Sequence, residues 1–406
     1  MARFLFVVPP LAGHVNPTIS VGQELSRRGH DVAWAGVPGK VEALLPGEAR
    51  FLGTGERSAT GAPAGTTPDR PPGLRTAAAF KFLWEQAIIP LAWDMIDGLD
   101  AVVEAWRPDV LVADQYAIAG GAVAMRRDLP WATSATTSAG VVDPLAELPM
   151  VQAWVDRKLG DFQAAIGGRV AAASPRALEC SGHLVLVFSS RRLVGDDLVF
   201  PPYYAFVGPA LSARADQDAF PWGWLDPDVP HVLVSLGTVN ADAGARFFAV
   251  AAEALGGEPL QAVLVAPPEM VPTPADNVLV RERVPQLALL ADIDVVVTHG
   301  GHNTVCEALA HGLPLVVAPI RDDQPVVASQ VVRAGAGLRV RFGRVRPDGL
   351  RAAVRSVLDE PGYRTAAVAV QQSFETAGGA PAAADRLEQL STERGATAAG
   401  RADSAV

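Results

Sequence analysis

The feature that most constrains this chain is a repeated order of short apolar runs, loops and helical patterns. The chain opens with RFLFVV (residues 3–8), the loop PPLAGHVN, a helical pattern that stops at Gly29, and the apolar run DVAWAG. Asn16 can cap that helix with Pro17 at its first position, which leaves His14 in the loop before it. An order of strand, loop, helix and strand predicts a parallel sheet with helices packed on its faces.

The same order begins again in the second half of the chain, at HVLVSLGT (231–238), and continues through DVVVTHGG and LPLVVAP. At roughly 100–200 residues per domain, this length suits two domains. We therefore predict an α/β protein of two doubly wound, Rossmann-like domains that face each other across a cleft, with ligands beyond the carboxyl ends of the strands. The predicted boundaries are an N-terminal domain at 1–208, a Pro- and Asp-rich linker at 209–230, a C-terminal domain at 231–378, a C-terminal helix at 379–391 that packs back on the first domain, and a flexible tail at 392–406.

Charge and cysteine content exclude several classes of protein. The formal net charge is −10 and no basic stripe offsets it, so nucleic acid is not an expected partner. No uninterrupted apolar segment reaches about 18 residues, which predicts no membrane-spanning helix, and the short N-terminal apolar run is unlike a signal peptide. Cys180 and Cys306 lie far apart and form no C-x-x-C pattern, so we expect no disulfide framework and a cytoplasmic protein.

The stretch THGGHNTVCEAL (298–309) follows a run of β-branched apolar residues and predicts an anion site. Gly300 and Gly301 let the backbone turn sharply and approach a ligand closely. The helix is expected to begin near Asn303, with Asn303 or Thr304 over its first turn, where main-chain N–H groups and the helix dipole favour an anion. His299 adds a ring N–H or a full charge. Taken alone, the same residues also fit an ordinary strand-to-helix turn with a capping Asn.

Polar side chains near other predicted strand ends extend this site. Glu307 lies about one turn into the helix and can reach hydroxyl groups, although a solvated helix carboxylate is an equally simple interpretation. Asp323 and Gln324 offer acceptors and donors together, as a polyhydroxylated ring requires, although an aspartate here can also cap a helix. Gly237 and Thr238 end the SLGT run and can contact the same anion.

These pieces together resemble the donor signature of GT-B glycosyltransferases, of the family that glycosylates bacterial macrolides and plant natural products. The matching segments are VPQ, THGGHNT, Glu307, GLP and DDQ in order, with AGHVNP near the N-terminus and SLGT in the middle. The resemblance implies diphosphate binding by His299, Asn303 and Thr304, ribose binding by Glu307, and sugar binding by Asp323 and Gln324. It implies that Arg283, Val284 and Gln286 hold the base, with Arg283 standing where the family commonly has Trp.

The resemblance also implies the chemistry. His14 corresponds to the general base, and Asp114, at the end of DVLVAD, is the expected orienting acid. The implied reaction inverts configuration without a metal or cofactor, because the helix N-terminus and His299 stabilise the departing diphosphate. Asp292 and Asp294 form a D-x-D pattern, but they precede a strand and are not expected to bind metal.

The retained Glu307 and acid–amide pair favour a UDP-hexose donor, glucose first, with N-acetylglucosamine left open as the sugar. The resemblance implies natural products of the antibiotic type as acceptors. The alternatives are a dTDP-deoxysugar transferase acting on a polyketide-type aglycone, a non-catalytic nucleotide-sugar-binding partner of another transferase and, less favoured, a sugar-nucleotide epimerase. A dinucleotide oxidoreductase would need G-x-G-x-x-G after the first strand, where this chain has PPLAGHVNP. The acceptor is expected to be a small hydrophobic aglycone held by the loop at 53–76 and by aromatic residues that could equally be plain core: Phe82, Trp84 and Trp93.

Overall fold

The computed structural model describes residues 1–55, 64–65, 71, 76–142, 148–171, 173–211, 219–237 and 244–402. Contacts within the chain divide it into two compact units. Unit 1 comprises Met1–Phe188, Val199–Ser212 and Ala377–Val406, and unit 2 comprises Ser189–Leu198 and Ala213–Thr376. Ser189–Leu198, which the sequence pattern placed inside the first domain, belongs to unit 2 in this division. In the described part of the chain, no helix combines the length and the apolar character needed to cross a membrane.

The strands fall where the apolar runs predict them, with one addition. They are β1 (Arg3–Val7), β2 (Asp31–Gly36), β3 (Phe51–Gly53), β4 (Val110–Asp114), β5 (Trp131–Ala135), β6 (Leu184–Val187), β7 (Tyr204–Phe206), β8 (His231–Ser235), β9 (Gln261–Val265), β10 (Val278–Arg281), β11 (Val295–Thr298), β12 (Leu315–Val317) and β13 (Gly337–Arg339). The short strand β3 is the addition: it pairs with β2 immediately before the predicted long loop. Most of that loop lies outside the described residues.

Helices alternate with these strands along the chain. They are α1 (Ala12–Arg27), α2 (Thr76–Leu83), α3 (Ile89–Trp106), α4 (Ile118–Arg126), α5 (Pro149–Ile166), α6 (Gly168–Ala171), α7 (Arg191–Val194), α8 (Ala245–Leu255), α9 (Gln286–Leu289), α10 (His302–Ala310), α11 (Gln324–Arg333), α12 (Pro347–Asp359), α13 (Pro361–Ala377) and α14 (Gly379–Ala402). A π-helical turn at Trp84–Ile88 joins α2 to α3. Helix α14 extends past the predicted end at 391 into the segment expected to be a flexible tail, a stretch rich in the helix former Ala.

Among the described residues each unit contains one parallel sheet. Unit 1 has the strand order β3-β2-β1-β4-β5-β6-β7, and unit 2 has the order β10-β9-β8-β11-β12-β13. In both sheets the order reverses beside the first strand of the unit, since β4 pairs with β1 and β11 pairs with β8. A parallel sheet with such a reversal places its ligand-binding loops beyond the carboxyl ends of the central strands.

The sheet of unit 1 is buried on both faces, as a parallel sheet requires. Phe4 and Phe6 of β1 pack with Val15 of α1 and Leu387 of α14 on one face. Leu5 and Val7 of the same strand pack with α3 and α4 on the other face. Helix α14 is also tied to the end of α1, because Glu388 accepts from Arg28 at 2.7 Å and lies 2.8 Å from a ring nitrogen of His30.

The prediction that the first helix begins at Pro17 was wrong. Helix α1 begins at Ala12, and the N–H groups of His14 and Val15 both donate to the carbonyl of Leu11, at 2.9 and 3.0 Å. Proline removes a single main-chain donor, and buried Val15 already anchors the first turn upstream of it. His14 therefore lies in the first turn of α1 and not in a loop.

Candidate active site

A histidine and an aspartate meet at the carboxyl end of the central strands of unit 1. Asp114 is the last residue of β4 and His14 is in the first turn of α1. The Nδ1 atom of His14 lies 3.0 Å from both carboxylate oxygens of Asp114. The carboxylate is fully buried, whereas the imidazole is 15% exposed. The two residues that the resemblance assigned to acid–base chemistry are thus in direct contact.

This contact determines which ring nitrogen carries the proton. An ionised carboxylate can only accept hydrogen bonds, so the nitrogen facing it, Nδ1, carries the hydrogen of the neutral ring. The lone pair of the imidazole is then on Nε2, on the far side of the ring from Asp114. A neutral imidazole held in this form can accept a proton at Nε2, and the buried carboxylate stabilises the resulting cation.

Within the described part of the chain, two further groups contact the Asp114 carboxylate. The main-chain N–H of Tyr116 donates to Oδ1 at 2.8 Å, and the hydroxyl of Thr136 donates to Oδ2 at 2.8 Å. The Tyr116 ring lies beside the imidazole with 4.8 Å between ring centroids. Sequence reasoning missed Thr136. Its only signal was a hydroxyl residue directly after β5, the neighbour of β4 in the sheet.

In unit 2 the turn formed by Gly300 and Gly301, the GG turn, connects β11 to α10. Gly300 has φ +89°, where a side chain would be strained, and a Cβ there would lie 2.8 Å from Cγ1 of Val317. Gly301 occupies the N-cap position without a side-chain cap, and α10 begins at His302, one residue before the predicted start. The first main-chain N–H groups of a helix have no acceptor inside it. Asn303 and Thr304 therefore lie in the first turn of α10, whose main-chain amides have no acceptor within the helix.

His299 is held between two glycines beside this turn. A Cβ on Gly237 would lie 2.9 Å from Cε1 of the ring, and a Cβ on Gly301 would lie 2.5 Å from Nε2. The imidazole is buried, and this burial lowers the pKa of His299 to about 4, against smaller opposite effects of the Asp323 charge and the Ser235 main chain. Of the two states that the sequence left open, this lowered pKa favours the neutral ring, which can donate through an N–H.

Glu307 and Gln286 contact each other within unit 2. Glu307 is 1% exposed on α10. Its Oε2 accepts from Nε2 of Gln286, the first residue of α9, at 2.5 Å. In the same segment the Val284 side chain is buried in the core and Arg283 is exposed. The structure thus brings together the residue assigned to the ribose and one of those assigned to the base.

Asp323 and Gln324 begin α11, directly after β12. Asp323 is at the N-cap position but makes no side-chain cap, so capping does not account for this aspartate. Gln324 is buried, and its Oε1 accepts from the N–H groups of Ile320 and Arg321 at 2.9 and 3.0 Å. This glutamine therefore holds the loop between β12 and α11 in place.

The aromatic residues predicted for the acceptor wall differ in their exposure. Trp84 is 3% exposed in the core of unit 1, and Phe82 is half-buried. Trp93 is 43% exposed and makes an edge contact with the Phe162 ring, 4.6 Å between centroids. Thr238 lies outside the described residues.

A cavity of about 810 Å³ in unit 2 lies away from this site. Its lining includes His231, Asp292, Asp294 and Arg364, and it lies at the amino ends of β8 and β11. Asp294 accepts from the main-chain N–H of His231 at 2.9 Å and lies 3.2 Å from the Arg364 guanidinium. Asp294 thus makes structural contacts just before β11, and the main-chain carbonyl of Asp292 lies 2.6 Å from Nδ1 of His231.

Residues 265–390 match the family described as erythromycin biosynthesis protein CIII-like, C-terminal domain. The chain is 32% identical to 4'-demethylrebeccamycin synthase of Lentzea aerocolonigenes, over 96% of this chain and 99% of that protein. It is 27% identical to a Bacillus subtilis (strain 168) protein named uncharacterized UDP-glucosyltransferase YojK, over 95% and 97% of the two chains. The crystal structure of the glycosyltransferase of kitacinnamycin superposes with a TM-score of 0.77 at 28% identity, over 96% and 99% of the two chains.

The chain therefore belongs to the GT-B family of natural-product glycosyltransferases. It is an enzyme of the glycosyltransferase class, with the two parallel-sheet units of that fold.

Proposed function

We propose that the protein is an inverting, metal-independent transferase that moves a hexose, with glucose favoured, from UDP to a hydroxyl group of a small lipophilic natural product. The observation that carries this proposal is the contact of the His14 imidazole with the buried Asp114 carboxylate at 3.0 Å. Such a pair supplies the general base that an acceptor hydroxyl needs.

The proposed reaction starts with this base. Nε2 of His14 removes the acceptor proton as the acceptor oxygen attacks the anomeric carbon of the sugar. The bond from that carbon to the diphosphate breaks on the opposite face, so the configuration inverts. Asp114 stabilises the imidazolium that forms, and the proton stays on His14 until products leave.

Unit 2 is assigned the departing diphosphate. Negative charge develops on its oxygens as the bond breaks. The first-turn amides of α10, which include those of Asn303 and Thr304, can stabilise that charge without reorganising. His299 contributes a ring N–H from a neutral imidazole, because burial holds its pKa near 4. Gly237 and Gly301 leave the space in which this ring lies.

The donor assignment depends on Glu307, Asp323 and Gln324. A carboxylate has about four lone-pair sites, so Glu307 can accept from Gln286 and still bind ribose hydroxyls. Asp323 and Gln324 remain assigned to the sugar hydroxyls, with Arg283, Val284 and Gln286 beside the base. A cytoplasmic setting belongs to the same proposal, supported by Cys180 and Cys306, which form no disulfide.

One observation favours a second donor. Glu307 is almost fully buried and already accepts from Gln286, as expected if it does not read a ribose 2′-hydroxyl. A dTDP-deoxysugar donor with a polyketide-type acceptor fits that arrangement. The two candidates differ in the nucleotide, which an assay separates directly.

The test combines UDP-glucose, UDP-N-acetylglucosamine and dTDP-glucose with a panel of lipophilic aglycones, and the products are read by mass spectrometry. We expect transfer from UDP-glucose, unchanged by EDTA, with an inverted anomeric coupling in the NMR spectrum of the product. His14→Ala should abolish transfer while calorimetry still detects UDP binding. His183→Ala, which removes an exposed histidine in the same unit, is the control. Transfer by His14→Ala at a near wild-type rate would show that the base is assigned wrongly.

A further inference from the structure

We infer that Thr136 is a positioning residue, whose hydroxyl fixes the Asp114 carboxylate in the orientation that holds His14 as the base. This inference rests on the proposed function, because it concerns the same base. In this role Thr136 acts through its two neighbours, Asp114 and His14.

The argument begins with the carboxylate itself. Asp114 is fully buried, so its orientation depends on the donors that the protein supplies. Oδ1 is held by the N–H of Tyr116 and Oδ2 by the hydroxyl of Thr136, each at 2.8 Å. With one fixed donor on each oxygen, the carboxylate cannot rotate about its Cβ–Cγ bond without losing a hydrogen bond. The imidazole then meets both oxygens at equal distances.

Thr136 also contacts the histidine directly. Its Oγ1 lies 2.8 Å from Nδ1 of His14. Since the hydroxyl hydrogen is donated to Asp114, the oxygen presents a lone pair to the Nδ1–H group. One hydroxyl therefore links acid and base in a closed triangle. Thr136 is 3% exposed and β-branched, which restricts its side-chain rotation and keeps the oxygen in this place.

The neighbouring hydroxyl provides a matched comparison. Ser134 is in β5, two residues before Thr136 and in register with Asp114. Ser134 is fully buried, yet its Oγ has no hydrogen-bond partner among the described residues. A buried hydroxyl near the carboxyl end of β5 therefore does not necessarily contact His14 and Asp114. The contacts of Thr136 are specific to its position.

The test uses three variants. Thr136→Val keeps the shape and removes the hydroxyl, Thr136→Ser keeps the hydroxyl, and Ser134→Ala removes the other buried hydroxyl. We expect Thr136→Val to lower kcat by roughly tenfold to a hundredfold with the donor KM unchanged, because the base is misoriented but donor binding is intact. Thr136→Ser should restore most of kcat, and Ser134→Ala should behave as the wild type.

A second measurement needs no substrate. In protein with ¹⁵N-labelled histidine, the Nδ1–H resonance of His14 is assigned by its loss in His14→Ala. We expect a sharp downfield resonance in the wild type, Thr136→Ser and Ser134→Ala, and a shifted or exchange-broadened one in Thr136→Val. A Thr136→Val protein with wild-type kcat and a wild-type resonance would overturn the inference. If the wild type transfers no sugar at all, the proposed function fails, and the resonance alone then supports or overturns the positioning role.

Discussion

The side-chain amide of Gln286 donates to the carboxylate of Glu307 over 2.5 Å, at a position where Glu307 is 1% exposed. The two residues are far apart along the chain, since one begins α9 and the other lies in α10. Their contact links the segment assigned to the base with the residue assigned to the ribose. In the proposed donor site, a ribose would meet a carboxylate that is already oriented.

Replacing Glu307 with Ala is expected to raise the KM for UDP-glucose by roughly tenfold to a hundredfold. Hydrogen bonds to a charged group contribute about 1.5–3 kcal/mol, and this change removes the acceptor of the ribose hydroxyls. The penalty should be smaller with dTDP-glucose, because the deoxyribose of its nucleotide lacks the 2′-hydroxyl. Steady-state kinetics with both donors measures the change in KM. The control is Glu253→Ala, which removes an exposed carboxylate in the same unit. Equal penalties with both donors would rule out recognition of the ribose 2′-hydroxyl by Glu307.

The stability of the protein should depend on pH through His299. Burial lowers the pKa of His299 from 6.5 to about 4, so the unfolded chain binds the proton more readily than the folded protein. The contribution of a neutral His299 to the free energy of unfolding is therefore complete above pH 6.5 and is lost as the pH falls toward 4. Between pH 7.5 and 5 the loss is about 2 kcal/mol.

Melting curves from pH 7.5 to 5 test this expectation. His299→Gln should show a smaller fall in Tm over that range than the wild type, because glutamine does not titrate. His183→Gln changes an exposed histidine and should keep the wild-type dependence. Parallel Tm curves for the wild type and His299→Gln would contradict the prediction.

A methyl group at Gly301 is expected to displace the His299 ring. The added Cβ would lie 2.5 Å from Nε2, closer than any ordinary contact. Overpacking of this kind costs about 1–3 kcal/mol and moves the ring away from the diphosphate position. Gly301→Ala should therefore lower both Tm and the affinity for UDP, as measured by melting and calorimetry.

Gly349→Ala is the matched control for this change. Its added Cβ would meet only the Val345 side chain, at an ordinary contact distance of 3.8 Å. Gly349 lies in α12, where alanine is a better helix former than glycine. We expect unchanged UDP affinity and an equal or higher Tm. Wild-type UDP affinity in Gly301→Ala would contradict the assignment of His299 to the diphosphate site.

Gln324→Leu should weaken the loop between β12 and α11. The change leaves the N–H groups of Ile320 and Arg321 without their acceptor, at a cost of about 1–3 kcal/mol for each buried donor that stays unsatisfied. A lower Tm and a higher donor KM are expected together. Gln372→Leu, at an exposed position of α13, should change neither. A lower Tm with an unchanged KM would assign Gln324 to structure alone.

The two tryptophans of unit 1 should respond differently to replacement by Ala. Trp84 is 3% exposed in the core, so Trp84→Ala is expected to destabilise the protein by about 3–5 kcal/mol. Trp93 is 43% exposed, so Trp93→Ala should raise the acceptor KM with a much smaller change in Tm. Melting curves and acceptor kinetics separate these effects. An unchanged acceptor KM in Trp93→Ala would exclude that residue from the acceptor wall.

Local patterns were sufficient for much of the fold. Runs such as FLFV and VLVA are apolar at every position, which is typical of strands buried on both faces, and each is a strand of a parallel sheet. The first helix shows where such reasoning fails. Pro17 is a common first helical residue, but a turn closed by Leu11 and packed through Val15 begins the helix five residues earlier. Burial of Val15 is a tertiary effect that proline statistics do not contain.

By itself, the sequence determined that this chain forms two parallel α/β units, and it marked His14, Asp114 and the GG turn through their places after predicted strands. These conclusions follow from side-chain periodicity and loop chemistry, which are local. Only the tertiary structure shows that a buried carboxylate faces Nδ1 of His14, that Thr136 completes the contacts of Asp114, and that burial lowers the pKa of His299. Each of those depends on burial and on contacts between residues distant along the chain, which no local pattern encodes.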